Sequence, residues 1–97
     1  MAYNTVLVNQ KERVGVITLN RPQAMNTFST EMAMELNQAL IQLDNDPDIR
    51  VVVVKGAGKA FSVGIDVSEF FGKSQKEYRE WVGIMEQMNH VIGKMKK

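Results

Sequence analysis

Ile49-Arg50-Val51-Val52-Val53-Val54-Lys55-Gly56-Ala57-Gly58-Lys59-Ala60-Phe61-Ser62-Val63-Gly64-Ile65-Asp66 is the stretch that decides how this chain folds. Four consecutive valines running into a glycine-rich turn describe a strand, and an unbroken apolar strand suits a parallel sheet covered on both faces. Upstream, Thr5-Val6-Leu7-Val8 and Val14-Gly15-Val16-Ile17-Thr18-Leu19 are β-rich runs around the polar stretch Asn9-Gln10-Lys11-Glu12-Arg13. They predict a hairpin with a loop longer than the tightest turns use. Asn20-Arg21-Pro22 ends the second strand, because proline has no N–H to give a ladder. Gln23 to Thr27 then reads as a polar connector and Ser29 or Thr30 as a helix cap. Met32, Leu36, Ala39, Leu40 and Leu43 fall on one helical face, and Asp44-Asn45-Asp46-Pro47 stops that helix. Hairpin, helix and buried strand in this order predict an α/β unit with a crossover connection.

Downstream of Asp66, Val67 to Phe71 predicts a short helical turn and Gly72-Lys73-Ser74 a break. A long amphipathic helix follows from about Gln75, with Tyr78, Trp81, Val82, Met85, Met88, Ile92 and Met95 on one face. One strand and one hairpin offer little to cover that face. The chain is therefore expected to pair with another copy, or to be part of something larger.

Bulk properties narrow the function classes. With 97 residues the chain holds one small domain, and its lack of cysteine rules out disulfides, thiolate zinc sites and a cysteine nucleophile. His90 is the single histidine, so a histidine metal cluster is excluded as well. Twelve basic against eleven acidic residues give a formal net charge of +1, which implies no general attraction to nucleic acid or membrane. The first residues, Met1-Ala2-Tyr3-Asn4, do not resemble a signal peptide, and no apolar run approaches membrane-spanning length. The expected location is cytoplasmic. Lys94-Met95-Lys96-Lys97 reads as a basic helix end favoured by the dipole.

The glycine-rich stretch does not match the phosphate-binding loops. Gly56-Ala57-Gly58-Lys59 is followed by alanine, which breaks the Walker A pattern, and Phe61 stands where a dinucleotide fingerprint needs its third glycine. A turn leading into a helix start at Gly64-Ile65-Asp66 has another use. Backbone N–H groups at such a start point outward at the positive end of the dipole and can hold an oxygen on which negative charge develops. Gly64 removes side-chain bulk where a ligand would approach, and Asp66 with Glu69 has capping spacing. On these residues alone, an ordinary strand-to-helix connection is the commoner use of such a loop.

Val16-Ile17-Thr18-Leu19-Asn20-Arg21-Pro22, then Ala24-Met25-Asn26, resembles the start of the crotonase (enoyl-CoA hydratase/isomerase) family. Asp48 through Val67 resembles that family's first acyl-CoA segment, the spacing between the two fits, and the lysine-ended last helix is similar too. The resemblance covers residues 1–97 as the N-terminal part of one crotonase-like domain lacking its C-terminal half, and it implies an α/β spiral of ββα units assembled as trimers or paired trimers. It implies acyl-CoA thioester ligands, with coenzyme A as part of the substrate and no separate cofactor or metal. The enolate oxygen would lie between two backbone N–H groups, the first of them that of Ile65. Ala24, Asn26, Ala60 and the turn Ser62, Val63, Gly64, Ile65, Asp66 and Val67 would line the coenzyme A channel, with Asp66 holding the turn.

This sequence departs from the pattern at Ile65, where many members have alanine or glycine; a β-branched group there narrows or redirects the acyl pocket. By the resemblance, the second donor and the acid/base carboxylates fall beyond Lys97, so little catalysis is expected of these residues alone. An alternative of a different class is a non-catalytic acyl-CoA-binding or assembly module. Glu77, Glu80 and Glu86 read as a solvated helix face, His90 as a structural histidine, and Tyr78 and Trp81 as core or interface aromatics.

Overall fold

The computed structural model describes residues 3–62 and 75–95. β1 (Val6–Lys11) and β2 (Val14–Leu19) pair antiparallel, with Val6 opposite Leu19 and Lys11 opposite Val14. The connecting loop is Glu12-Arg13 alone, so the hairpin is tighter than its polar stretch suggests. Asn9, Gln10 and Lys11 are strand residues that are polar because they face solvent. Glu12 takes the positive φ, 57°, at the start of this short turn, and Gln10 Nε2 donates to its carbonyl at 2.9 Å.

α1 (Thr30–Asp44) carries the chain back beneath the sheet. Ser29, not Thr30, is its cap: the Ser29 hydroxyl accepts from Met32 N at 3.1 Å, an interaction worth about 1 kcal/mol in such settings. The face predicted from the three- and four-residue spacing, Met32, Leu36, Ala39, Leu40 and Leu43, is buried throughout. It meets Val6, Ile17, Leu19 and Ile49, and together they form the core. Each large aliphatic side chain buried there contributes roughly 1.5–3 kcal/mol.

β3 (Val51–Gly56) lies parallel to β2, with Val14 beside Val51 and Leu19 beside Gly56. The sheet order is β1-β2-β3, so β2 is central and β3 lies at the edge of the described sheet. This corrects the expectation of a valine strand buried on both faces. Val52 and Val54 turn toward α1 and are half-buried, whereas Val51 and Val53 are exposed on the other face. The core and its helical cover lie on one side of the described sheet, and valine content alone does not supply a second cover.

α2 (Gln75–Lys94) packs chiefly on α1. Trp81 is buried, and Met88, Val91 and Met95 lean on the core. Of the predicted apolar face Trp81 is buried, Val82, Met85, Met88 and Met95 are half-buried, and Ile92 remains exposed. Among the described residues no helix is long and apolar enough to cross a membrane.

The start of the chain is fastened to α1 by carboxylates. Glu35 Oε1 accepts from Thr5 N at 2.7 Å and Thr5 Oγ1 at 2.6 Å, and both Glu35 oxygens receive Asn4 N, at 3.1 and 3.0 Å. Asn4 Nδ2 donates to Glu31 Oε2 at 2.8 Å. Burial opposes ionisation of Glu35, but the Asn4 N–H, the Thr5 hydroxyl and the Thr5 N–H outweigh it and hold the carboxyl below its ordinary value of 4.5.

Candidate functional site

The turn that leaves β3 doubles back on the strand it has just left. Ala57 N donates to Leu19 O at 2.8 Å, which extends the β2–β3 ladder one step past Gly56. The chain then returns over Gly56 so closely that a Cβ there would collide with the Ala60 carbonyl and sit 2.5 Å from Phe61 Cα. Backbone cannot swing aside as a side-chain tip can, so position 56 has no room for any other residue. Gly58 takes φ +81°, a conformation L residues rarely adopt, and a Cβ there would stand 3.1 Å from Pro22 Cβ. The turn is therefore pressed against the connector that follows β2.

That connector is more ordered than its polar composition suggests. Pro22–Ala24 form a single 3-10 turn, with proline in the first position, where its missing N–H costs nothing. Met25 and Asn26 both follow with positive φ, 53° and 55°. Asn26 N donates to Arg21 O at 2.9 Å, Thr27 N to Ala24 O at 3.2 Å and Arg21 NH1 to Thr27 O at 2.6 Å, closing the segment on itself. Two successive non-glycine residues in the left-handed region store on the order of 1–3 kcal/mol each, so the surroundings must enforce the shape.

Asn26 joins the two segments. Its Oδ1 accepts from Arg21 N at 2.7 Å, and its Nδ2 donates to Ala57 O and Ala60 O, each at 2.8 Å. Next to this tie lies a cleft of about 300 Å³ lined by Pro22, Met25 and the turn Ala57, Gly58, Lys59 and Ala60. Met25 and Lys59 are exposed at it. A second cavity, about 310 Å³ and apolar, lies between Leu36 and Leu40 of α1, Val52 and Val54 of β3, and Met88 and Ile92 of α2. The first cleft offers apolar walls, backbone and a cation. No carboxylate lines it among the described residues.

The structure joins Asn26 and Ala60 of the predicted site, with Ala24 two residues before Asn26 and Ser62 two residues after Ala60; Asn26 is fully buried and the other three are half-buried. Val63, Gly64, Ile65, Asp66 and Val67 lie outside the described residues, as do the expected turn over 67–71, the Asp66–Glu69 cap, the break at 72–74 and the Tyr78 side chain. Glu77, Glu80, Glu86 and His90 are exposed on α2. Sequence reasoning did not single out Gly56. A glycine ending an apolar strand is a signal of close backbone approach, and that signal was legible.

Comparison with known proteins places the chain. The sequence profile described as enoyl-CoA hydratase/isomerase matches residues 9–96. A probable enoyl-CoA hydratase of Mycobacterium tuberculosis is 46% identical over 69 residues, covering 71% of this chain and 27% of that protein. The crotonyl-CoA hydratase of Syntrophomonas wolfei is 29% identical over 98 positions, covering 100% of this chain and 38% of that protein. The crystal structure of an enoyl-CoA hydratase from Bacillus anthracis superposes with a TM-score of 0.87 at 29% identity, over 95% of this chain and 36% of that one. The chain thus spans between about a quarter and two-fifths of the length of these relatives.

Proposed function

Because the chain belongs to the enoyl-CoA hydratase/isomerase family, we propose that it supplies the N-terminal part of an acyl-CoA thioester site. The observation that carries this is the tied turn after β3, with its cleft against Pro22 and Met25. The Ile65 N–H is the first of two donors to the thioester oxygen. Deprotonation at the α-carbon, or addition of water at the β-carbon, moves negative charge onto that oxygen. A pre-aimed N–H stabilises the enolate more than the ground-state carbonyl, which is what lowers a barrier. Lys59, exposed at the cleft, supplies a cation suited to a coenzyme A phosphate. By the family resemblance, the β-branched side chain of Ile65 narrows or redirects the acyl pocket.

One donor without a second, and without a positioned acid or base, binds better than it turns over. The 97 residues alone therefore bind acyl-CoA with negligible hydration of crotonyl-CoA. Calorimetry with crotonyl-CoA against free coenzyme A tests the binding, and enoyl absorbance tests turnover. Gly64→Leu should weaken binding because its side chain fills the approach to the backbone. Unchanged affinity in that variant, or no heat with the unaltered chain, overturns the assignment.

A second reading is a non-catalytic acyl-CoA-binding or assembly module. Binding without turnover, even when a C-terminal portion of a relative is added back, supports it. Exposed Leu7, Val51 and Val53 also support assembly with further copies, which sedimentation would reveal.

A further inference from the structure

Asn26 is fully buried, at 0% exposure, on a segment that is otherwise half-exposed. A primary amide has two N–H donors, and both are used on one turn: on Ala57 O where the turn begins and on Ala60 O where it ends. Its oxygen is used on Arg21 N. With no exposed surface and no donor left over, this side chain has nothing to offer a ligand directly. What it does is hold the first and last carbonyls of a four-residue turn at a fixed separation, 31 and 34 residues away in sequence. Its own backbone is held in the left-handed region to make that reach.

We infer that Asn26 is a positioning residue for the proposed thioester site, holding the Ala57 to Ala60 turn that lines the cleft without itself touching the ligand. The inference rests on the proposed function for its link to binding. It follows that Asn26→Asp, which keeps the acceptor for Arg21 N but turns an anionic oxygen on two carbonyls, is more harmful to the turn than its size suggests. Hydrogen exchange over residues 56–62 and over α1, together with crotonyl-CoA calorimetry, tests this on the full chain. Expected in Asn26→Asp is at least tenfold faster exchange at 56–62 with α1 protection retained, and at least tenfold weaker binding. Asn26→Ala, which removes the donors without adding charge, should do the same and serves if the aspartate variant does not fold. Leu43→Ala, a core change against Gly15 at the opposite end of β2 from the turn, should lower α1 protection yet leave the affinity of the folded chain intact. Unchanged exchange at 56–62, or loosened exchange with unchanged affinity, overturns the role of Asn26 alone. Absence of binding by the unaltered chain overturns the thioester reading and this role with it.

Discussion

β2 and β3 are neighbouring strands of equal length, parallel and both rich in valine or isoleucine, yet they have opposite fates. Ile17 of β2 is 0% exposed, while Val51 and Val53 of β3 are 51% and 42% exposed. The difference lies in what surrounds them. Among the described residues β2 has a strand on each side and α1 beneath it, whereas β3 has β2 on one side and α1 over its inward residues. Burial belongs to the place a strand takes in the layers, and β-branched composition only qualifies a strand for such a place.

Substitution should expose this asymmetry most sharply in the core. Ile17→Ala is expected to cost about 2–5 kcal/mol in urea unfolding, a large part of a small domain's stability. Val53→Ala on the outer face should cost about 0.5 kcal/mol or less. Equal costs would break the comparison, because they would mean the outer face of β3 is covered in solution.

The next largest effect is expected where β3 ends. Gly56→Ala must push the Ala60–Phe61 backbone away and should cost about 1–3 kcal/mol while loosening the turn, read by thermal unfolding and by exchange at 57–62. A neutral result would show that the turn yields easily and that β3 is as soft at its end as on its outer face.

On the well-covered side, Glu35 gives a pH signature. Its folded value lies below its unfolded one, so the stability it contributes is present above about pH 4.5 and disappears as pH falls through the folded value. Glu35→Gln should cost about 1–2 kcal/mol at neutral pH and flatten that part of the acid limb in pH-dependent unfolding. An unaltered acid limb would mean that the start of β1 is held by packing rather than by the carboxylate.

A small effect of the opposite sign is expected on α2. A Cβ at Gly83 meets nothing within 4 Å, so Gly83→Ala should stabilise by up to about 1 kcal/mol through helix propensity alone, a rise of a few degrees in Tm. A loss instead would show that this face of α2 is covered in solution and would move α2 to the buried side of the comparison.

The sequence alone determined the order of elements, the apolar face of α1, the stop at Asp44 to Pro47 and the family resemblance carried by its motifs. These are local properties: helical spacing, capping and turn chemistry act within a few residues, so they survive without knowledge of the rest of the chain. Only the tertiary structure decided which valines are covered, how tightly Glu12-Arg13 closes the hairpin, and why position 56 admits only glycine. It also decided the work of Asn26. A buried amide that ties two carbonyls more than thirty residues away depends on the path by which the chain returns, and that path is set by packing between layers rather than by any neighbour in sequence.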